Sequence, residues 1–322
     1  MRPGPALNER RQYMAAPTPN SPGALNWALV LLLGLVWGTS FLSISISLET
    51  LPPLTVAATR TALAAVVLIA ILPFFEGSLR DLSGGKIFVF TFMAGAIGYA
   101  LPFVLLAWGQ QFVPSAVAGI AMGTVPLLLV PLVFVFSPEE GIGPRRIAGL
   151  ILGFVGLVLI VGPGATALDH PRAIYGALAC VGAAMSYAVA SILTRRAPKV
   201  HPIPFAAGSM IAAAVILMPL AIIVEGVPGD VSARSLTAVI YLAALPTALA
   251  GAIRVRIIRT AGSLFMSMVS YMVPVWSVVF GVVLLNESLP ANVFVALALI
   301  LSGILLSQWS ALRKTRQPSN NT

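Results

Sequence analysis

Residues 113–140 read VPSAVAGIAMGTVPLLLVPLVFVFSPEE, and residues 261–287 read AGSLFMSMVSYMVPVWSVVFGVVLLNE. Each stretch opens on small residues, runs apolar through a central proline (Pro126, Pro274) and ends at a carboxylate (Glu139, Glu287). The two prolines are 148 residues apart, and so are the two glutamates. Ala100-Leu101-Pro102 precedes the first copy, Ala244-Leu245-Pro246 precedes the second, and one further apolar segment follows each. A period this long, spanning most of the chain, is an internal duplication.

Working outward, 58% of the 322 residues are hydrophobic and only 9% are charged, against about 25% charged in a soluble domain. Such a chain cannot cover its core with a polar shell, so lipid is its outer solvent. Ten apolar segments follow one another, at about 27–48, 54–75, 87–107, 115–136, 146–163, 173–194, 203–224, 235–253, 263–285 and 292–310. Each is long enough to cross about 30 Å of hydrocarbon as a helix. They are continuously apolar, without the alternation of barrel strands. The expected fold is therefore an all-α integral membrane protein with ten transmembrane helices.

The net charge of +9 does not indicate nucleic acid, because the cations sit in twos and threes between apolar segments. That pattern sets topology. Counting Lys and Arg over the loops and tails of ten spans gives 16 on one side, from Arg2 to Arg316, and only Arg172 and Arg234 on the other. Arg60 falls inside a span. Both termini are accordingly expected in the cytoplasm. Residues 1–25, with five prolines and three arginines, read as a disordered cytoplasmic tail, and residues 311–322 as a second cytoplasmic tail. Between them lie two five-span units, 26–164 and 173–310. Five is odd, so the second unit enters the membrane from the opposite side and the repeats are inverted. Inverted repeats build two related conformations around a site between the halves.

Trp37-Gly38 in the first span, Arg60 in the second after a proline-rich loop, and the proline-to-glutamate fourth span resemble the drug/metabolite transporter superfamily. Within it, the EamA group of ten-span bacterial exporters is the nearest in pattern. The resemblance covers residues 27–310 and implies a bundle around a central cavity lined mainly by spans 1, 3, 4, 6, 8 and 9. It also implies a bacterial inner-membrane location and export of small metabolites, often amino acids or related compounds. The halves have diverged, because Met210 stands where Arg60 is expected to repeat, and Tyr187-Ala188 where Trp37-Gly38 is.

Arg60 is the one charge well inside a span, where a cation costs about 2.5–3.5 kcal/mol. It either binds an anionic group of the substrate, or caps backbone carbonyls and snorkels toward the nearby loop, with Glu49 as a candidate partner. No Asp, Glu or His lies at the middle of a span. Alternating access without a buried coupling carboxylate follows. Pro126 and Pro274 each remove a backbone donor and are candidate hinges, or packing kinks. Gly119 and Gly123, and Gly149 and Gly153, have the spacing that lets helices approach closely.

Trp37, Ser40, Tyr99, Thr124, Tyr187, Tyr241, Ser267 and Tyr271 are the polar and aromatic side chains at cavity depth, and are the candidate substrate-binding set. Such a lining suits an uncharged or zwitterionic solute with an apolar side chain. The single cysteine, Cys180, gives no disulfide framework or metal cluster, and no cofactor or metal is expected. The expected partners are a small-molecule substrate and the bilayer, with oligomeric state left open. Two alternatives remain at this point. One is a proton-coupled exporter of drugs or lipophilic cations, which would want a buried counter-charge. The other is a membrane scaffold or enzyme, for which no catalytic constellation is visible.

Overall fold

The structure, a computed structural model, describes residues 23–75, 77–136, 143–164, 167–168, 170–198, 200–266 and 268–314. The regular structure of these residues is helical, as the bilayer demands of a chain that must pair every backbone group internally. Among them, seven helices are long and apolar enough to cross a membrane and three more are shorter and apolar.

In chain order they are α1 (Ala24–Ser47), α2 (Pro53–Ile71), α3 (Gly85–Gly109), α4 in two pieces (Ser115–Gly123 and Val125–Phe136) and α5 (Pro144–Leu159). The second repeat gives α6 (Ala173–Arg196), α7 (Pro202–Glu225), α8 (Ala233–Leu242, continuing through Ala243–Leu249 to Ala250–Met266), α9 (Val269–Leu284) and α10 (Ala291–Lys314). Proline opens α2, α5 and α7, where its missing N–H is not needed. Phe88, Ile151, Phe154, Val215 and Ile223 are exposed around the bundle, as side chains facing lipid should be. The chain is an integral membrane protein built from two inverted five-helix repeats.

Three differences from the expected spans have physical causes. First, α4 is not one helix. It breaks at Thr124, whose hydroxyl donates to Ala121 O at 2.6 Å, and Pro126 stands at the start of the second piece. Pro274, by contrast, lies inside continuous α9, and the interruption comes earlier, at Met268. Second, α8 does not end near residue 253. Nothing in GAIRVRIIRTAG stops a helix before Gly262, so it runs on to Met266 and makes helical the arginine-bearing segment that hydropathy assigns to a loop. Third, the paired Ala-Leu-Pro motifs each sit at a widened π-helical turn, Ala96–Ala100 and Ala243–Leu249. A proline deletes the donor to the carbonyl four residues back and its ring pushes that carbonyl away. At Pro246 the released carbonyl is that of Leu242, and the Thr247 hydroxyl takes it at 2.7 Å. The carbonyl of Pro246 itself accepts from the Trp37 indole N–H at 3.0 Å.

Glycine sets where the repeats touch. A methyl group on Gly38 would overlap Trp276, one on Gly119 would overlap Ser277, and one on Gly123 would come within 2.6 Å of Pro274 Cγ. The α9 helix therefore lies in a trough between α1 and α4 that only glycine leaves open. Gly149 and Gly303 do the same for α5 and α10, each lying against the other's backbone carbonyl.

Candidate functional site

Arg60 is 7% exposed, so it does not snorkel. Its Nε donates to Thr247 Oγ1 at 2.8 Å, and its guanidinium lies 3.6 Å over the centre of the Phe103 ring. One contact comes from the π turn of α8 and the other from α3 beyond its own π turn. Arg60 on the first repeat is thus tied to the second repeat through the Thr247 side chain on the π turn of α8. Glu49 is not its partner: that carboxylate pairs with Arg234 at 3.2 Å, and both side chains are exposed. Among the described residues, none accepts from the two terminal amino groups of Arg60, and none places a carboxylate within ion-pair distance of it.

Two tyrosines complete the surroundings. Tyr99, in the α3 π turn, meets Phe103 edge-on with centroids 5.9 Å apart. Tyr187 packs against both large buried cores, the one around α4 and the one around α2 and α7. Its hydroxyl lies within electrostatic reach of Arg60, Tyr99 and Arg254. Arg254, on the extended part of α8, is exposed. Tyr187 and Thr247 each lie fourteen residues past the first residue of their helices, about 21 Å at 1.5 Å per residue. The cluster sits deep in the bundle.

The structure distributes the sequence candidates among several places. Trp37 spends its N–H on Pro246, beside the cluster. Ser40 is buried in α1. Thr124 closes the break in α4. Tyr241 pairs with Thr39 Oγ1 at 2.8 Å and lines an open groove of about 650 Å³ between the end of α1 and the start of α8. The Tyr271 hydroxyl donates to Ile304 O on α10 at 3.2 Å. Ser267 lies outside the described residues. Tyr99, Tyr187 and Arg60 are therefore brought together, with Phe103, Thr247 and Arg254 as neighbours that hydropathy and polarity alone did not single out. A threonine directly after an in-span proline was the available signal for Thr247.

The ends of the helices on the face holding Glu49, Glu225 and Glu287 are tied across the repeats. The Glu225 carboxylate, ending α7, accepts from the amides of Leu54 at 2.9 Å and Thr55 at 2.8 Å, and from the Thr55 hydroxyl at 2.8 Å. The Glu287 carboxylate, just after α9, accepts from the amides of Ser115 at 2.6 Å and Ala116 at 3.1 Å. Both supply the N-terminal caps that α2 and α4 lack in their own sequence. On the same face Ser235 Oγ donates to Ile46 O at 2.8 Å and Ser45 Oγ to Gln110 Oε1 at 3.2 Å. The opposite face, with the exposed Arg145, Arg254 and Arg256, carries a separate core of Val30, Leu33, Ile257, Phe265 and Val269 formed by α1, α8 and α9 alone.

Compared with known proteins, this geometry has relatives. The EamA-like transporter family matches twice, over residues 25–162 and 174–309. The chain belongs to the EamA-like transporter family. It is 28% identical over 281 residues to the uncharacterized inner membrane transporter YedA of Escherichia coli K12, covering 84% of this chain and 87% of that one. It is 25% identical over 284 residues to the uncharacterized transporter YoaV of Bacillus subtilis, covering 87% and 95%. A solved crystal structure at 26% identity superposes with a TM-score of 0.64, covering 89% of this EamA-family chain and 97% of its own. Transport is the function of the family, and the EamA chain described here shares its whole membrane domain.

Proposed function

We propose that this EamA-family transporter exports small metabolites, amino acids or related compounds, by alternating access between its two halves, 26–164 and 173–310. It does so in a bacterial inner membrane with both termini in the cytoplasm. The observation that carries the reading is Arg60: a buried cation without a carboxylate among the described residues, held between the repeats by Thr247 and Phe103. Burying an unpaired charge is costly unless a partner arrives, and a substrate carboxylate is such a partner.

The cross-repeat caps mark one end of the bundle as the gate that has to part during transport. With the arginine-rich face in the cytoplasm, the outer face is the one closed by the Glu225 and Glu287 caps. Arg254 is exposed on the arginine-bearing end of α8, seven residues past Thr247. A solute enters past Arg254, binds at Arg60 with Tyr99 and Tyr187 beside it, and leaves once the outer caps part. A drug or lipophilic-cation exporter gains no support, because Arg60 and Arg254 repel a cation.

The experiment is efflux from proteoliposomes loaded with labelled neutral amino acids and nucleosides, with and without a proton gradient. With the 2-hydroxy-acid analogues of the amino acids added to the panel, saturable efflux of at least one carboxylate-bearing solute, indifferent to the gradient, is expected, and nucleosides should stay behind. Flux that requires the gradient overturns carboxylate-free coupling and turns attention to Glu225 and Glu287.

A further inference from the structure

We infer that the solute held at Arg60 is a net anion, a carboxylate on an apolar or aromatic body without an ammonium group, and that the membrane potential drives it outward. The inference rests on the transport reading above and narrows its substrate.

The Nε side of Arg60 is committed to Thr247 and one face to Phe103. What remains is the two-pronged end of the guanidinium, whose parallel N–H groups match the two oxygens of a carboxylate. The contact at Thr247 also fixes the direction of that fork, because Thr247 is itself tied to Leu242 O.

An amino acid brings an ammonium group that needs an acceptor or an open aromatic face. The Phe103 face is occupied by Arg60 itself, and the described residues bring no carboxylate to the cluster, so an ammonium finds only the phenol oxygens of Tyr99 and Tyr187; Arg254 adds a second positive charge on α8 seven residues past Thr247, ~10 Å along the helix. The field at the site is positive from two sides and favours a solute with a net negative charge. Tyr99, Tyr187 and the Phe103 edge supply an apolar wall for its body.

An anion neutralises Arg60 on binding, so the loaded site crosses the bilayer uncharged and the empty one carries the cation. Each cycle moves one negative charge outward. With the cytoplasm negative, every 100 mV favours export by about fifty-fold. No protonatable carboxylate within the spans is then required.

An isosteric trio tests this: phenyllactate (anion), phenylalanine (zwitterion) and phenylalaninamide (cation), each loaded into proteoliposomes whose potential is set by potassium and valinomycin, with protein-free vesicles as background. Phenyllactate efflux is expected to exceed that of the other two at least tenfold and to quicken when the lumen, on the cytoplasmic side, is negative. Arg60→Gln is expected to abolish it and Arg60→Lys to keep part of it. Preference for phenylalanine or phenylalaninamide overturns the inference and leaves the transport reading standing. So does phenyllactate flux indifferent to the potential. No flux of the trio or of the neutral panel overturns both. Selectivity and potential dependence are read on the wild-type protein, so a variant that fails to fold does not decide the matter.

Discussion

The carboxylate of Glu287, at the end of α9, accepts from the backbone amide of Ser115, the first residue of α4, at 2.6 Å. The two residues are 172 positions apart and belong to different repeats. The cap is charge-assisted, and at a helix N-terminus it also meets the positive end of the macrodipole. Replacing a capping side chain with alanine costs about 0.5–2 kcal/mol. Glu287→Ala should lower thermal stability in detergent by that amount, and Glu287→Gln, which keeps one acceptor, should lose less. Glu225→Ala should cost at least as much, because it removes three bonds. Equal stability of all three variants and wild type would show that the caps carry no energy.

The trough around α9 makes a steric prediction. Gly119→Ala places a methyl group on Ser277, and overpacking of this kind costs about 1–3 kcal/mol. Gly119→Ala is expected to reduce both stability and transport. Ser277→Gly, added to it, should restore much of the loss, and a double-mutant cycle measures the coupling. An additive cycle would mean that α4 and α9 do not meet there in the membrane.

Thr247 is expected to act on affinity through Arg60. Thr247→Val leaves the Arg60 Nε without its acceptor and Leu242 O without its donor, at about 1–3 kcal/mol for each buried group left unpaired. The fork loses its fixed direction. The expected result is a rise in KM of about tenfold or more with a smaller change in maximal rate, and rescue by Thr247→Ser. A variant with unchanged KM would separate Thr247 from substrate binding.

Glu49 and Arg234 provide the contrast. Their ion pair is exposed at both ends, and such pairs are worth about 0–1 kcal/mol. Glu49→Gln should shift the unfolding midpoint hardly at all, in low or high salt. A large shift would mean that the pair is covered by lipid or a neighbouring molecule.

How much of this was written in the sequence differs by level. The ten spans, the duplication and its inversion follow from apolar run lengths and from the spacing of Pro126, Pro274, Glu139 and Glu287, because the bilayer leaves a continuous apolar run few alternatives to a helix. The site was legible only in part. Arg60 announces itself as a charge among apolar residues, but its choice of Thr247 over Glu49 depends on helix rotation and on a π turn that hydropathy does not record. Polarity likewise grouped Tyr241 and Tyr271 with Tyr99, whereas rotation sends their hydroxyls to Thr39 and Ile304. The uncharged or zwitterionic solute expected from polarity alone gives way to an anion in our reading, because Arg254, which hydropathy placed in a loop, continues the helix of Thr247. Glu139, the first-half counterpart of Glu287, lies outside the described residues.

The two carboxylate caps also bear on how the protein is made. The amides of Leu54 and Ser115 emerge from the ribosome 171 and 172 residues before the glutamates that cap them, roughly 10–30 s at common synthesis rates. During that time the first five helices sit in the bilayer with two helix starts uncapped. The first repeat is thus a debtor to the second, and a truncated chain ending near residue 170 should be a substrate for membrane quality-control proteases. Coexpressing the missing half as a separate polypeptide should protect it, because the caps need proximity and not a continuous backbone.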